Sequence, residues 1–419
     1  MQSRTLTAAA SAPSPAARRA LWAAGLGWGL DGFDFYLYVY ALPGIMTAFS
    51  LTKAAGGLLA TQMLVASAAG GIVMGVLADR IGRKRALVIS IAWYAVFTAL
   101  CAAAQNYTQL AALRTLEGFG FGGEWAVGAV LAAEWSAPSR RGRSLGFMQS
   151  AWALGWLAAN VAFQAVALAV PAAYGWRALF VLGILPAFAV LYVRRAVADP
   201  PAYRVVRPPL HVTITGMFSR RLARTTLLAT LLAAGAQSGY YALFTWMPSY
   251  LSIQRKLPSL ATGSYVYALI AGSLAGYVTA GFINDAIGRR ATFVLFSVCS
   301  ALMVPFYLAV VTANWELVPA GFALGYFASG IFSGFGPFLS ELFPSDVRAA
   351  AQGFCYNAGR GVAGAAPYLV GVLAERVPVA TAMIETAVAA YLVAVAAVLA
   401  LPETKGRALE APTPSPSCP

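Results

Sequence analysis

The sequence predicts an all-α integral membrane protein, twelve transmembrane helices forming two pseudo-symmetric six-helix bundles. Three observations carry that prediction. The mean hydropathy is +0.70, with 60% hydrophobic and only 11% charged residues, a composition suited to lipid. The chain divides into twelve apolar runs, each near the ~20 residues that cross a bilayer as a helix. Two charged motifs recur half a chain apart. The 29 basic and 15 acidic side chains among 419 residues cannot coat a soluble surface, and the long apolar runs exclude disorder.

Taken in order, residues 1–19 are rich in Ala, Ser and Pro, with Arg4, Arg18 and Arg19. They read as a cytoplasmic tail rather than a signal peptide, because the next span carries acids and no cleavage site. Residues 20–196 hold the first bundle, with runs at about 21–45, 56–77, 86–104, 109–133, 145–168 and 177–194. The polar, basic stretch 197–222 is expected as a cytoplasmic central loop. Residues 223–401 hold the second bundle, with runs at about 225–251, 263–283, 291–311, 316–341, 349–373 and 380–401. Residues 402–419 form a second cytoplasmic tail. Lipid offers the backbone no hydrogen bonds, so every run is expected to be helical.

An even number of spans places both termini on one side. Roughly 22 Lys and Arg fall on that side, against Lys53, Arg177, Arg255, Lys256 and Arg376 on the other. Positive charge marks the cytoplasm, so the chain is expected in the cytoplasmic (inner) membrane with both termini inside. The net charge of +14 is thereby explained by topology. Nucleic acid is not an expected partner, since the basic residues lie between hydrophobic spans and not among aromatics on a polar face.

Several chemistries lack their reagents. Cys101, Cys299, Cys355 and Cys418 are scattered and His211 is the sole histidine, which gives no disulfide framework and no metal-ligand spacing. With no GxSxG elbow and no GxxxxGK[ST] loop, the sequence argues against an enzyme and against ATP as the energy source through that route. No cofactor or metal is expected. A proton gradient is the economical driving force, with sodium left open.

The duplication is explicit. Gly75–Arg85 reads GVLADRIGRKR and Gly281–Ala291 reads GFINDAIGRRA, so Asp79, Gly82 and Arg83 correspond to Asp285, Gly288 and Arg289, 206 positions later. Glu134, Arg141, Gly146 and Phe147 correspond to Glu341, Arg348, Gly353 and Phe354, 207 positions later. Such repeats mark transporter architectures. These eight charges at cytoplasmic helix ends are either a gate of ion pairs holding the bundles closed or plain topology signals. Repetition at one spacing favours the gate.

GVLADRIGRKR, its second copy, RTLEGFG at Arg114–Gly120 and PETKG at Pro402–Gly406 resemble signatures of the major facilitator superfamily, over about residues 20–406. Within it, DGFDFYLY at Asp31–Tyr38, GFGGEWAVG at Gly120–Gly128, GWRALFVLGILPA at Gly175–Ala187, WMPSYL from Trp246 and NAGR at Asn357–Arg360 resemble the sialate and lactate type of proton symporter. Aromatic-acid symporters share the DGFD feature. The resemblance implies a central cavity lined by spans 1, 4, 7 and 10, helped by 5, 8 and 11, alternating access, and a monocarboxylate, sialate or aromatic-acid substrate.

Independently of that resemblance, an ionisable residue deep in a span is expensive and marks function by default. Asp31 and Asp34 share a face of span 1 at i and i+3. Span 4 carries Arg114, Glu117 and Glu124. One cation among four carboxylates leaves a surplus of acid, so at least one carboxyl holds a proton in some state. Asp31, Asp34 and Glu117 are the preferred proton-coupling residues, tuned by Arg114, with Glu124 a weaker candidate. The alternative is a static ion-pair cluster joining spans 1 and 4.

Arg360, near the middle of span 11 with Asn357 one turn before it, has no acid at similar depth in its half. Its planar fork suits a carboxylate, so the substrate is the natural counter-ion. Otherwise it reaches backbone carbonyls or an acid across the bundle interface. Gln237, Ser238, Tyr240, Tyr241, Thr245 and Trp246 give span 7 hydroxyl and amide donors to read the rest of the substrate. Ser333, Gly334, Gly336 and Pro337 let span 10 bend. The expected function is proton-coupled symport of a small organic acid anion by one chain acting as a monomer. The alternatives are a sugar or polyol symporter, an exporter of amphiphiles, or a non-transporting sensor.

Overall fold

The computed structural model describes residues 15–134, 141–188, 215–344 and 347–406, and their side chains except at 15–20, 76, 79, 83, 124–134, 141–145 and 349. Glu124, Asp79, Arg83, Glu134 and Arg141 therefore lie outside the described side chains. His211, Cys418, residues 1–14 of the first tail and most of the central loop lie outside the described residues.

Twelve helical segments follow one another: α1 Pro15–Ala48, α2 Lys53–Ile81, α3 Arg83–Cys101, α4 Tyr107–Glu134, α5 Arg141–Ala169 and α6 Ala172–Leu182, then α7 Ala223–Phe244, α8 Ser259–Ile287, α9 Arg289–Pro305, α10 Leu317–Gly330, α11 Arg348–Ala363 and α12 Val379–Leu399. Several continue past a break. α7 runs on through Pro248 into a π-helical turn at Tyr250–Gln254, and α9 into another at Phe306–Val310 after Pro305. α10 tightens to a 3-10 turn at Ile331–Gly334 before resuming at Phe335–Leu342. α11 breaks at Gly364 and resumes at Ala365–Leu373.

Eight helices among the described residues are long and apolar enough to cross a membrane. The other four expected spans fall short for identifiable reasons. α1 carries Asp31 and Asp34, α4 carries Arg114 and Glu117, α6 is described as 11 residues, and α11 is divided at Gly364.

The duplication is present in the backbone. Gly82 joins α2 to α3 with φ 99°, and Gly288 joins α8 to α9 with φ 99°. Each closes the preceding helix through its own N–H, to the Ala78 and Asn284 carbonyls respectively, a left-handed turn that glycine makes without a Cβ clash. The packing repeats as well: α2 lies on α4 and α8 on α10, while α1 lies on α5 and α7 on α11. Glycine makes this close approach possible. A Cβ on Gly122 would overlap the Ser67 carbonyl, and one on Gly272 the Phe322 carbonyl.

The two halves meet along α2 with α11 and α5 with α8. Contact is tightest at the end predicted to lie outside. There Lys53 Nζ donates to the Ala374 carbonyl at 2.7 Å, Ala54 N–H to Glu375 Oε1 at 3.2 Å, and Thr61 to the Gly364 carbonyl at 2.5 Å. Gly57 lies directly on the Pro367 carbonyl. Further along, Gly71 meets the Asn357 amide, and one turn beyond, a Cβ on Gly75 or on Gly353 would meet nothing within 4 Å. The halves are thus zipped together at the predicted outer end.

Candidate functional site

Two buried clusters occupy the middle of the bundle. The first lies inside the N-terminal half, where α1, α3 and α4 meet. Asp34, Arg114 and Glu117 are each 0% exposed. Arg114 and Glu117, one helical turn apart, form an ion pair at 2.5 Å. Thr98 of α3 donates to Asp34 Oδ1 at 2.5 Å, and the Cys101 thiol points at Glu117 Oε2 at 3.8 Å. The Arg114 guanidinium lies 4.1 Å from the centre of the Tyr38 ring, so its face is covered by an aromatic plate. Asp34 Oδ2 and Arg114 Nε and Nη2 have no hydrogen-bond partner. One guanidinium thus faces two carboxyls with water excluded, a charge set that is balanced only when one carboxyl carries a proton.

The second cluster joins the halves around Arg360, which is 1% exposed. Its Nε and Nη1 have no hydrogen-bond partner, and it forms no ion pair among the described residues. Three rings surround its guanidinium, those of Tyr356 at 5.3 Å, Phe121 at 5.7 Å and Trp28 at 5.9 Å. The Tyr241 hydroxyl lies within electrostatic reach of both Arg360 and Asp31. Gln237 donates to the Tyr356 carbonyl at 3.0 Å and leaves Oε1 without a partner.

The sequence-predicted residues therefore separate. Asp34, Arg114 and Glu117 come together, while Asp31, one turn earlier on α1, belongs with Tyr241 on the Arg360 side. Asn357 bonds back to the Gly353 carbonyl at 3.0 Å and rests its amide against Gly71 of α2, at the seam between halves. Tyr240 is spent on a bridge across the molecule: its hydroxyl meets that of Tyr36 at 2.7 Å and accepts from Trp152 Nε1 at 2.9 Å. Trp246 donates to the Pro367 carbonyl at 3.0 Å and ties α7 to α11.

At the predicted cytoplasmic end, the ion pairs described in the second half tie its own helices together. Arg289 pairs with Asp285 at 2.8 Å and with Glu341 at 3.0 Å. Thr404 donates to Glu341 at 2.6 Å, and Glu403 accepts the backbone N–H groups of Arg289 and Arg290, each at 3.0 Å. Arg348 Nε donates to the Phe343 carbonyl at 3.2 Å. The terminal PETKG stretch is thus a strap over the ends of α8, α9 and α10.

Sequence reasoning passed over Trp28, Thr98, Phe121 and Tyr356. Helical spacing carried a signal for three of them: Trp28 stands three residues before Asp31, Phe121 four after Glu117, and Tyr356 four before Arg360. Nothing in α3 singles out Thr98.

Comparison with known proteins agrees with this architecture. The family model described as the Major Facilitator Superfamily matches residues 24–279 and 266–416. A probable 4-methylmuconolactone transporter of Cupriavidus pinatubonensis is 40% identical over 402 residues, covering 95% of this chain and 94% of the relative. The cis,cis-muconate transport protein of Acinetobacter baylyi is 30% identical over 358 residues, covering 83% and 85%. The niacin transporter NiaP of the same organism is 30% identical over 381 residues, covering 84% and 85%. Among solved structures, the proton:xylose symporter XylE bound to 6-bromo-6-deoxy-D-glucose aligns with a TM-score of 0.77 at 17% identity, over 95% of this chain and 98% of that one. With its duplicated helical halves and buried charges at their centre, the chain is a membrane transporter, not an enzyme, and belongs to the major facilitator superfamily.

Proposed function

We propose that this transporter is a secondary symporter that moves a small organic acid anion together with protons across the cytoplasmic membrane, with both termini inside. The observation that carries the proposal is Arg360, a buried guanidinium at the junction of the halves whose Nε and Nη1 lack acceptors. A desolvated cation of this kind is stabilised by an anion that can take two parallel hydrogen bonds, which a carboxylate does. The relatives named for 4-methylmuconolactone, cis,cis-muconate and niacin support the same class.

Protons are carried by the surplus acids. Asp34 and Glu117 share one guanidinium, and Asp31 lies within electrostatic reach of the same Tyr241 hydroxyl as Arg360. A carboxyl there takes H+ while access is on one side and releases it on the other, so the chain needs no nucleotide, metal or other cofactor. With the positively charged ends inside, the zipped end of α2 and α11 faces outward and forms one gate of an alternating-access cycle. One chain supplies both halves and works as a monomer.

The test is external pH during addition of lactate, sialate, benzoate or nicotinate to de-energised proteoliposomes carrying wild type or Arg360→Ala. Transient alkalinisation that the substitution abolishes supports acid and proton symport. Silence for every acid, with alkalinisation by a sugar that survives Arg360→Ala, overturns the organic-acid reading and makes the chain a sugar symporter.

A further inference from the structure

Beside Arg360 stands a second orphaned donor. Trp28 of α1 is 4% exposed, and its Nε1 has no hydrogen-bond partner. Indole and guanidinium are donors only. Trp28 Nε1, Arg360 Nε and Arg360 Nη1 are therefore three buried N–H groups, and the Trp28 ring centre lies 5.9 Å from the guanidinium carbon. Buried donors without acceptors are costly, and the cost is recovered when a ligand supplies lone pairs.

The ring geometry shows how that ligand sits. Two other arginines stack on aromatic faces at 4.1 Å, Arg114 on Tyr38 and Arg177 on Trp176. Arg360 stands 5.3 to 5.9 Å from each of its three rings. It is ringed without being stacked. Trp28 is also held in place before any ligand arrives: it packs on Trp152 at 4.7 Å, and Trp152 is anchored by its bond to the Tyr240 hydroxyl. A donor fixed by such a chain binds without the entropy loss of a freely rotating one.

We infer that Trp28 is a substrate-binding residue, its indole N–H donating to the carboxylate that Arg360 grips, and its ring forming with Phe121 the walls for a flat, unsaturated body. The ligand class is a planar aromatic or conjugated carboxylate, in preference to a saturated or polyhydroxylated one. This rests on the reading of Arg360 as the carboxylate site.

The experiment is calorimetric titration of purified transporter with benzoate and with cyclohexanecarboxylate, a pair that differs in ring flatness and unsaturation, and with nicotinate as a second flat acid. Wild type is expected to bind the two flat acids several-fold more tightly than cyclohexanecarboxylate. Trp28→Phe, which keeps a ring and removes the N–H, is expected to weaken benzoate and cyclohexanecarboxylate alike by roughly tenfold. Trp28→Leu and, independently, Phe121→Leu are expected to bring the benzoate preference toward one; the second covers the case in which Trp28 variants fail to fold. Unchanged affinities in Trp28→Phe, or an unchanged preference in Phe121→Leu, overturn the inference while loss of binding in Arg360→Ala leaves the carboxylate site standing. Carboxylate binding that persists in Arg360→Ala overturns both.

Discussion

Tyr36 on α1 and Tyr240 on α7, 204 residues apart, share a 2.7 Å hydrogen bond between their hydroxyls. α1 and α7 are counterparts in the duplication, so the bond crosses from one half to the other close to the pseudo-symmetry axis. Trp152 donates to the same Tyr240 oxygen. Tyr240→Phe strands two buried groups and Tyr36→Phe strands none that lacks another partner. A buried unsatisfied polar group costs about 1–3 kcal/mol. Tyr240→Phe is therefore expected to lower the thermal midpoint of the purified protein clearly, and Tyr36→Phe to lower it less. Equal midpoints for the two variants, measured side by side, contradict this ranking.

The architecture was legible in the sequence because lipid leaves so few options. Apolar run length fixes the helices, and the charged motifs repeated half a chain apart mark the two bundles. Gly82 and Gly288, matched by the repeated motif, both adopt φ 99°, a shared turn that the motif match alone did not specify. Site composition was less legible. Asp31 and Asp34 share a face by spacing alone, yet the packing of α3 draws Asp34 to Thr98 and leaves Asp31 with Tyr241. Thr98 and Trp152 could not be found from periodicity, because their roles depend on which neighbour each helix meets. PETKG served as a family signature in the sequence, whereas its Glu403 and Thr404 acquire a physical role only when the chain end folds back onto α9 and α10.

Glu117 offers a test of the proton pathway. If the acids carry protons, Glu117→Gln in proteoliposomes with an imposed pH gradient is expected to retain exchange of an organic acid across the membrane. Accumulation against the acid's own gradient is expected to fall to an inside-to-outside ratio near one. A static ion-pair cluster predicts otherwise: the variant loses thermal stability, because Arg114 keeps its charge without its partner, but a folded fraction still accumulates substrate. The two outcomes separate when accumulation is measured per folded transporter.

Glu403 lies outside the membrane spans and gives a pH dependence with a definite sign. Partial burial works to raise its carboxyl above the ordinary 4.5, but the backbone N–H groups of Lys405, Arg289, Arg290 and Thr404 outweigh it, and the carboxyl is held below that value. A depressed acid contributes stability above its unfolded pKa and loses it as pH falls through the folded one. Glu403→Gln is expected to lower the midpoint at pH 7 by no more than about 3 °C, because solvent at this rim discounts each bond. The difference from wild type is expected to shrink as the pH is taken below 4.5 and to be constant between pH 6 and 8. A difference that instead grows toward acid refutes the assignment.

Gly57 sits where the zipped end is tightest: a Cβ there would overlap the Pro367 carbonyl in the continuation of α11. A side chain there meets backbone, which cannot rotate away, so closure of this end is opposed while the rest of each half is untouched. On the other side of the same contact, Gly371 lies equally close to the Lys53 carbonyl, and Thr61 crosses to the Gly364 carbonyl one turn further in. Gly57→Val is therefore expected to shift the population toward the state in which this end is open. The readout is a cysteine at Thr61 labelled by a membrane-impermeant maleimide from outside. Labelling is expected to be slow in an otherwise unaltered chain and at least tenfold faster beside Gly57→Val, while exchange transport falls because the cycle can no longer close. Equal labelling rates in the two backgrounds mean that the α2 and α11 seam does not govern access at this end, and that the contacts between α5 and α8, where Asn160 donates to the Gly263 carbonyl at 2.9 Å, carry the closure instead.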